Sequence, residues 1–71
     1  MYEKEINRIL TVIKNKRATL NYSQFYVAEK LGITQNVYSK IEANKIKLTA
    51  CRLLMICELL DIDAVRLMKS L

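Results

Sequence analysis

Gly32 is the only glycine in the 71-residue chain, and proline is absent. A small β-barrel or sandwich needs a turn residue every few positions, and this chain has almost none of that kind. With 52% of its residues apolar, it does not have the composition of a disordered tail or a linker either. What remains is helix, packed around one core. Seventy-one residues suffice for one domain, near the size at which a chain still builds an adequate core alone.

Apolar spacing and capping residues divide the chain into five segments. "EKEINRILTVIKNKR" places Ile6, Ile9, Leu10 and Ile13 at i, i+3, i+4 and i+7, a stripe that ends on Arg17, with acids early and cations late, as the helix dipole prefers. "ATLNYS" interrupts it: Asn21 closes a turn and Ser23 caps the next helix, "QFYVAEKL". Gly32 stops that helix in the manner of a left-handed C-terminal residue. Thr34 caps a third helix from Gln35 to about Ala43, ended by Asn44, which tolerates positive φ. After a loop through "KIK", Thr49 caps a fourth helix reaching Leu60, and Asp63 a fifth running to the C-terminus. The expected fold class is all-α: one compact five-helix domain spanning residues 1–71, without repeats.

Charge points to partners. Twelve Lys and Arg against seven Asp and Glu give a net charge of +5, and the pI is near 9.4. A cationic surplus favours nucleic acid or an anionic surface. With no histidine, no CxxC pair, no clustered carboxylates and no phosphate-cradling glycine loop, neither a metal site nor an enzyme is expected, and no cofactor. Cys51 and Cys57 point about 120° apart on one helix and cannot bridge each other within it; both are read as small core residues in a reducing cytosol. No run approaches the ~18 apolar residues of a membrane span, and the N-terminus lacks an apolar signal region. A cytoplasmic protein is expected.

Residues Gln24 to Ile41 form a unit in their own right. Ala28 lies in the middle of one helix, Gly32 four residues later, and Tyr38 and Ile41 in the next helix. Two helices crossing closely need a small residue at the contact and a glycine in the turn, the pattern of a helix-turn-helix. "SQFYVAEKLGITQNVYSKIEANK" resembles the lambda-repressor/Cro-like (XRE) family of DNA-binding helix-turn-helix domains through Ser23, Gln24, Val27, Ala28, Leu31, Gly32, Ile33, Thr34, Ser39, Ile41 and Glu42. The similarity extends from about residue 9 to 62, with the helix-turn-helix itself over about 23–44. It departs at Asn44 (usually Gly), at Leu48 (often Pro) and at Phe25 and Tyr26, which leave an aromatic pair partly exposed. The resemblance implies a lambda-repressor-like DNA-binding domain whose third helix enters the major groove.

The third helix sorts its side chains accordingly. With Gln35 as origin, Ser39, Asn36 and Lys40 fall at about 40°, 100° and 140°, and Val37, Tyr38 and Ile41 at about 200–300°. One half packs; the other presents amides, a hydroxyl and a cation, the groups that pair with adenine, guanine and other base edges. Gln35, Asn36, Ser39 and Lys40 are therefore the expected base-reading residues. Glu42, at about 340°, faces inward, as does Arg17 at the end of the first stripe. The resemblance also pairs these two positions, so a partly buried Arg17–Glu42 ion pair is expected. Gln24, whose family counterpart bonds a phosphate and steadies the recognition helix, joins Thr34, Asn44, Lys45 and Lys47 as expected phosphate contacts. Tyr38 is a core residue with its hydroxyl either satisfied inside or reaching a phosphate; Lys14 and Lys16 read as solvent charges.

The C-terminal helices are more apolar than one small core requires. Leu53, Ile56, Cys57 and Leu60 make a core stripe, while Leu54, Met55 and Leu59, with Leu67, Met68 and Leu71 of the fifth helix (about 63–71), form a surplus apolar surface. A homodimer through that surface is expected, with two recognition helices on half-sites of a palindromic operator; the alternative is that helix five completes its own core. The function expected is thus a bacterial or phage transcriptional regulator of repressor type, binding double-stranded DNA. A second class is an antitoxin or interaction adaptor of the same fold, using Phe25 and Tyr26 towards a protein partner (a toxin or RNA polymerase) that the sequence does not specify.

Overall fold

The computed structural model describes residues Met1 to Leu71 and contains five helices: α1 (Glu3–Thr19), α2 (Gln24–Leu31), α3 (Gln35–Glu42), α4 (Ala50–Leu59) and α5 (Ala64–Lys69). Four of them start on a side chain that accepts from the backbone N–H three residues on: Ser23 from Tyr26, Thr34 from Val37, Thr49 from Arg52 and Asp63 from Arg66. Each such cap satisfies one of the helix's unpaired N–H groups and contributes about 1 kcal/mol.

The helix ends are equally uniform. Asn21, Gly32, Asn44 and Asp61 all adopt positive φ, between 56° and 71°. At each, the residue's own N–H bonds the carbonyl three back, and the next N–H reaches the carbonyl five back: Asn21 to Ala18 and Tyr22 to Arg17, Gly32 to Glu29 and Ile33 to Ala28, Asn44 to Ile41 and Lys45 to Lys40, Asp61 to Glu58 and Ile62 to Cys57. This is the Schellman stop. The turn at Asp61 is the one of the four not foreseen in the sequence; aspartate shares with asparagine the short polar side chain that tolerates this conformation.

Three connections repeat one formula: a left-handed residue, a half-buried apolar residue (Tyr22, Ile33 or Ile62), then the cap of the next helix. The apolar residue locks each helix end to the core. The exception is α3 to α4, where Lys45 replaces the apolar residue and the chain continues through Ile46, Lys47 and Leu48 before Thr49. Ile46 and Leu48 pack against the core while Lys45 and Lys47 stand exposed. The longest connection is therefore also the cationic one.

The core draws on every helix: Ile9, Leu10 and Ile13; Val27 and Ala28; Tyr38 and Ile41; Ile56, Cys57 and Leu60; and Leu67. Two expectations need correction here. Cys51 is exposed and only Cys57 is buried, because thiols about 120° apart cannot both face the one buried side of α4. Leu67, expected at an interface, is 6% exposed and part of the core. In a helix of six residues, Leu67 and Met68 lie about 100° apart, so burying the first turns the second outward. Helix α5 also stops at Lys69, short of the C-terminus. No helix is long and apolar enough to cross a membrane.

A Cβ on Gly32 would meet nothing within 4 Å, so the glycine serves backbone conformation and not close packing. Gly32→Ala is expected to lower stability by about 1–2 kcal/mol in urea unfolding, and Gly32→Asn by clearly less. Equal losses in the two variants would show that something other than the positive φ limits the site.

Candidate nucleic-acid interface

Helix α3 has two differently treated sides. Tyr38 and Ile41 are buried, and Val37 is half-buried against the core. Gln35, Asn36 and Lys40 are exposed and Ser39 is half-exposed. All side-chain hydrogen bonds made by α3 come from Tyr38 and Glu42, on the inner side. The four expected base-reading groups thus share one accessible face and are spent on nothing within the chain.

The inner side is held by one carboxylate. Arg17 meets Glu42 as a two-pronged fork, Nε to Oε2 at 2.7 Å and Nη2 to Oε1 at 3.1 Å. The Tyr38 hydroxyl donates to Oε2 at 2.6 Å, and the Gln24 side-chain amide donates to Oε1 at 3.1 Å. An ionised carboxylate has about four acceptor positions, and all are filled. Arg17 also donates through Nη1 to the Tyr22 carbonyl at 2.9 Å. One anion therefore ties α3 to α1, to the α1–α2 turn and to the first residue of α2. No buried side-chain polar atom lacks a partner.

Burial alone would push the Glu42 carboxyl up, yet the hydrogen bonds from Arg17, Tyr38 and Gln24 outweigh it and hold the group below the usual carboxylate range. The same pairing raises Arg17. Burial first, then donation to Glu42, raises Tyr38, so the phenol stays protonated and remains a donor. Its hydroxyl is satisfied inside the fold, which resolves the two options the sequence left open and corrects the idea that it reaches a phosphate.

The expected phosphate-contacting residues are arranged unevenly. Lys45 and Lys47 are exposed and without partners in the long loop after α3. Thr34 uses its hydroxyl oxygen as the cap of α3 and keeps its O–H proton to donate. Gln24 directs its amide nitrogen to Glu42 with one of two N–H groups, leaving the other. The Asn44 amide bonds Asn7 of α1, Nδ2 to Oδ1 at 3.3 Å, a contact the sequence did not suggest. Nor did it suggest the links of Tyr38 and Gln24 to Glu42, although the four-residue spacing of Tyr38 and Glu42 on a helix was a readable signal.

The aromatic pair is partly exposed as expected, Phe25 at 58% and Tyr26 half-buried. Tyr26 is already engaged: its ring packs at a tilt against Tyr22, centroids 4.6 Å apart, with the Lys30 ammonium 5.4 Å from its centroid.

Comparison with known proteins bears on the fold. A helix-turn-helix family model matches residues 13–67, from the middle of α1 into α5. No curated protein and no solved structure gives a significant match.

Because the folded-state pKa of Glu42 lies below that of an unfolded glutamate, its contribution is complete above about pH 4.3 and is lost as pH falls through the folded value. Tyr38→Phe removes one of the four donors. It is expected to cost about 1.5–3 kcal/mol and to move the acid limb of stability to higher pH. Arg17→Ala, which strips the partner from a buried carboxylate, costs more, about 3–5 kcal/mol. Urea unfolding of the three proteins between pH 3 and 7 (a range of about four units around the reference glutamate pKa) checks both; an acid limb unmoved in Tyr38→Phe would remove the hydroxyl from the network.

Proposed function

Since the chain belongs to the helix-turn-helix family of DNA-binding proteins, we propose that it is a sequence-specific transcriptional regulator of the lambda-repressor-like type, acting as a homodimer on a palindromic operator. The observation that carries this reading is the division of α3: an inner side fully engaged by the Glu42 network, and an outer side of Gln35, Asn36, Ser39 and Lys40 with every donor and acceptor unspent.

The roles follow from chemistry. Gln35 and Asn36 have the paired donor and acceptor that match adenine in the major groove, Lys40 donates to guanine, and Ser39 serves several base edges. Lys45, Lys47, Gln24, Thr34 and the second N–H of the Asn44 amide supply cations and donors to the sugar–phosphate backbone, contributing affinity without sequence information. Dimerisation is supported by an apolar groove lined by Leu54, Ala64, Val65 and Met68, with Lys69 at its margin. Leu54 is 60%, Val65 65% and Met68 54% exposed. This revises the expected surface: Val65 takes the place of Leu67, while Met55 and Leu59 line a separate depression with Lys30, Leu31 and Glu58, and Leu71 lines one with Lys4, Glu5 and Arg8. Phe25 supports the alternative of an antitoxin or adaptor, and co-purification of an unrelated protein through Phe25 would favour it.

Selection of duplexes from a random pool tests the whole reading, since it returns both a site and its symmetry. On the selected site, Gln35→Ala and Lys40→Ala are each expected to lower the preference over random DNA by about 1–3 kcal/mol. Lys45→Ala should weaken both DNAs alike and make the salt dependence shallower by about one unit of slope. Equal losses on both DNAs for all three variants would contradict the division of roles. In sedimentation, the wild type should be dimeric at tens of micromolar and Val65→Asp monomeric with its fold intact; a monomeric wild type would remove the dimer.

A further inference from the structure

Two contacts fix how α1 lies along α3. Near the start of α1, Asn7 accepts from the Asn44 amide; near its end, Arg17 grips Glu42. Both α3-side partners lie at the point where the chain leaves α3 and enters the cationic loop. The flank of α1 between these contacts therefore runs beside that exit.

Lys14 occupies this flank. It lies seven residues after Asn7, about 20° away around the helix, and about 60° from Arg17. Its side chain is exposed and takes part in neither of the two ion pairs of the chain. Lys16, two residues on, lies about 160° from Lys14 and belongs to the opposite flank. The one acid on the Lys14 flank, Glu3, lies about 16 Å further along the helix axis and is paired with the N-terminal ammonium at 3.7 Å.

The amide chemistry at Asn7 runs in the same direction. Asn44 spends an N–H on the Asn7 side-chain carbonyl, which leaves the Asn7 amide nitrogen with two N–H groups and no acceptor among the side chains. Asn7 thus presents two free N–H groups and Lys14 an ammonium, about 10 Å apart along one edge that leads to Asn44 and Lys45. A ligand made only of acceptors and carrying negative charge complements such an edge.

We propose that Asn7 and Lys14 form a second backbone contact with duplex DNA, binding sugar–phosphate next to the stretch engaged by Asn44 and Lys45. Lys14 supplies charge, and Asn7 supplies the N–H that the Asn44 contact orients. The proposal rests on the DNA-binding reading of α3 and adds α1 to the surface that faces the duplex. The sequence does not separate Lys14 from Lys16; their opposite flanks do.

The test compares two matched charge removals on full-length protein. Binding to the selected duplex and to a random duplex is measured across a range of salt. Lys14→Gln is expected to make the slope of log affinity against log salt shallower by about 0.9, the value for one phosphate contact, on both DNAs. Lys16→Gln should leave the slope unchanged. Asn7→Ala is expected to weaken both DNAs by about threefold to tenfold with no change of slope. An unchanged slope in Lys14→Gln, or equal changes in Lys14→Gln and Lys16→Gln, overturns the proposal and leaves the α3 reading standing. A wild type without salt-dependent affinity for any duplex overturns both.

Discussion

The Glu42 carboxylate is the joint at which α1, α2 and α3 are held to one another. A buried anion is costly, and the fold meets that cost with four donors from three different parts of the chain: the Arg17 fork, the Tyr38 hydroxyl and the Gln24 amide. Apolar packing is tolerant of small rotations of a helix about its axis, since Leu and Ile side chains fit several arrangements. A carboxylate with all its acceptor positions filled is not, because a roll of α3 lengthens several charged hydrogen bonds together. The core sets that α3 packs on its neighbours; the carboxylate sets which face it turns outward.

The turns extend the same logic along the chain. Three connections use a left-handed residue, an apolar anchor and a cap, so α1 to α2, α2 to α3 and α4 to α5 leave little freedom in the angle between successive helices. The fourth connection replaces the anchor with Lys45 and adds residues. Local rigidity is thus greatest around α3's entry and least just after its exit, where Lys45 and Lys47 carry long flexible ammonium groups. On the proposed reading this division is useful: fixed geometry for reading bases, adaptable cations for a backbone whose shape varies with sequence.

Much of this was legible in the residues themselves, and the gaps have physical causes. Caps and stops act over a few residues, so Ser23, Thr34, Thr49 and Asp63, and three of the four left-handed positions, could be read directly. Helices of two turns or more also announce their buried faces, which is how Arg17 and Glu42 both read as inward-facing. Leu67 was misplaced because six residues make fewer than two turns, too few for periodicity to choose between adjacent apolar positions. Cys51 was misplaced because α4 is apolar on nearly all sides, so its composition does not mark the buried one. Tyr38 left two options because a tyrosine at a core position always needs a hydrogen-bond partner, and only the folded structure decides which acceptor lies in reach.

The size of α3 bears on why a second copy is part of the proposed function. Eight residues span about 12 Å of helix, and four outward side chains address only a few adjacent base pairs. At about 1–3 kcal/mol for each well-made base contact, the four residues of one α3 discriminate by about 4–12 kcal/mol, and only the top of that range comes from four ideal contacts. A site must compete with about 10⁶–10⁹ non-specific sites in a genome, which asks for about 8–12 kcal/mol. Cations do not close the gap, because phosphate contacts raise affinity for correct and incorrect sequences together. Doubling the number of bases read does close it, and that requires two copies held at a fixed spacing. On the proposed reading, the exposed apolar groove of Leu54, Val65 and Met68 is the surface that holds them.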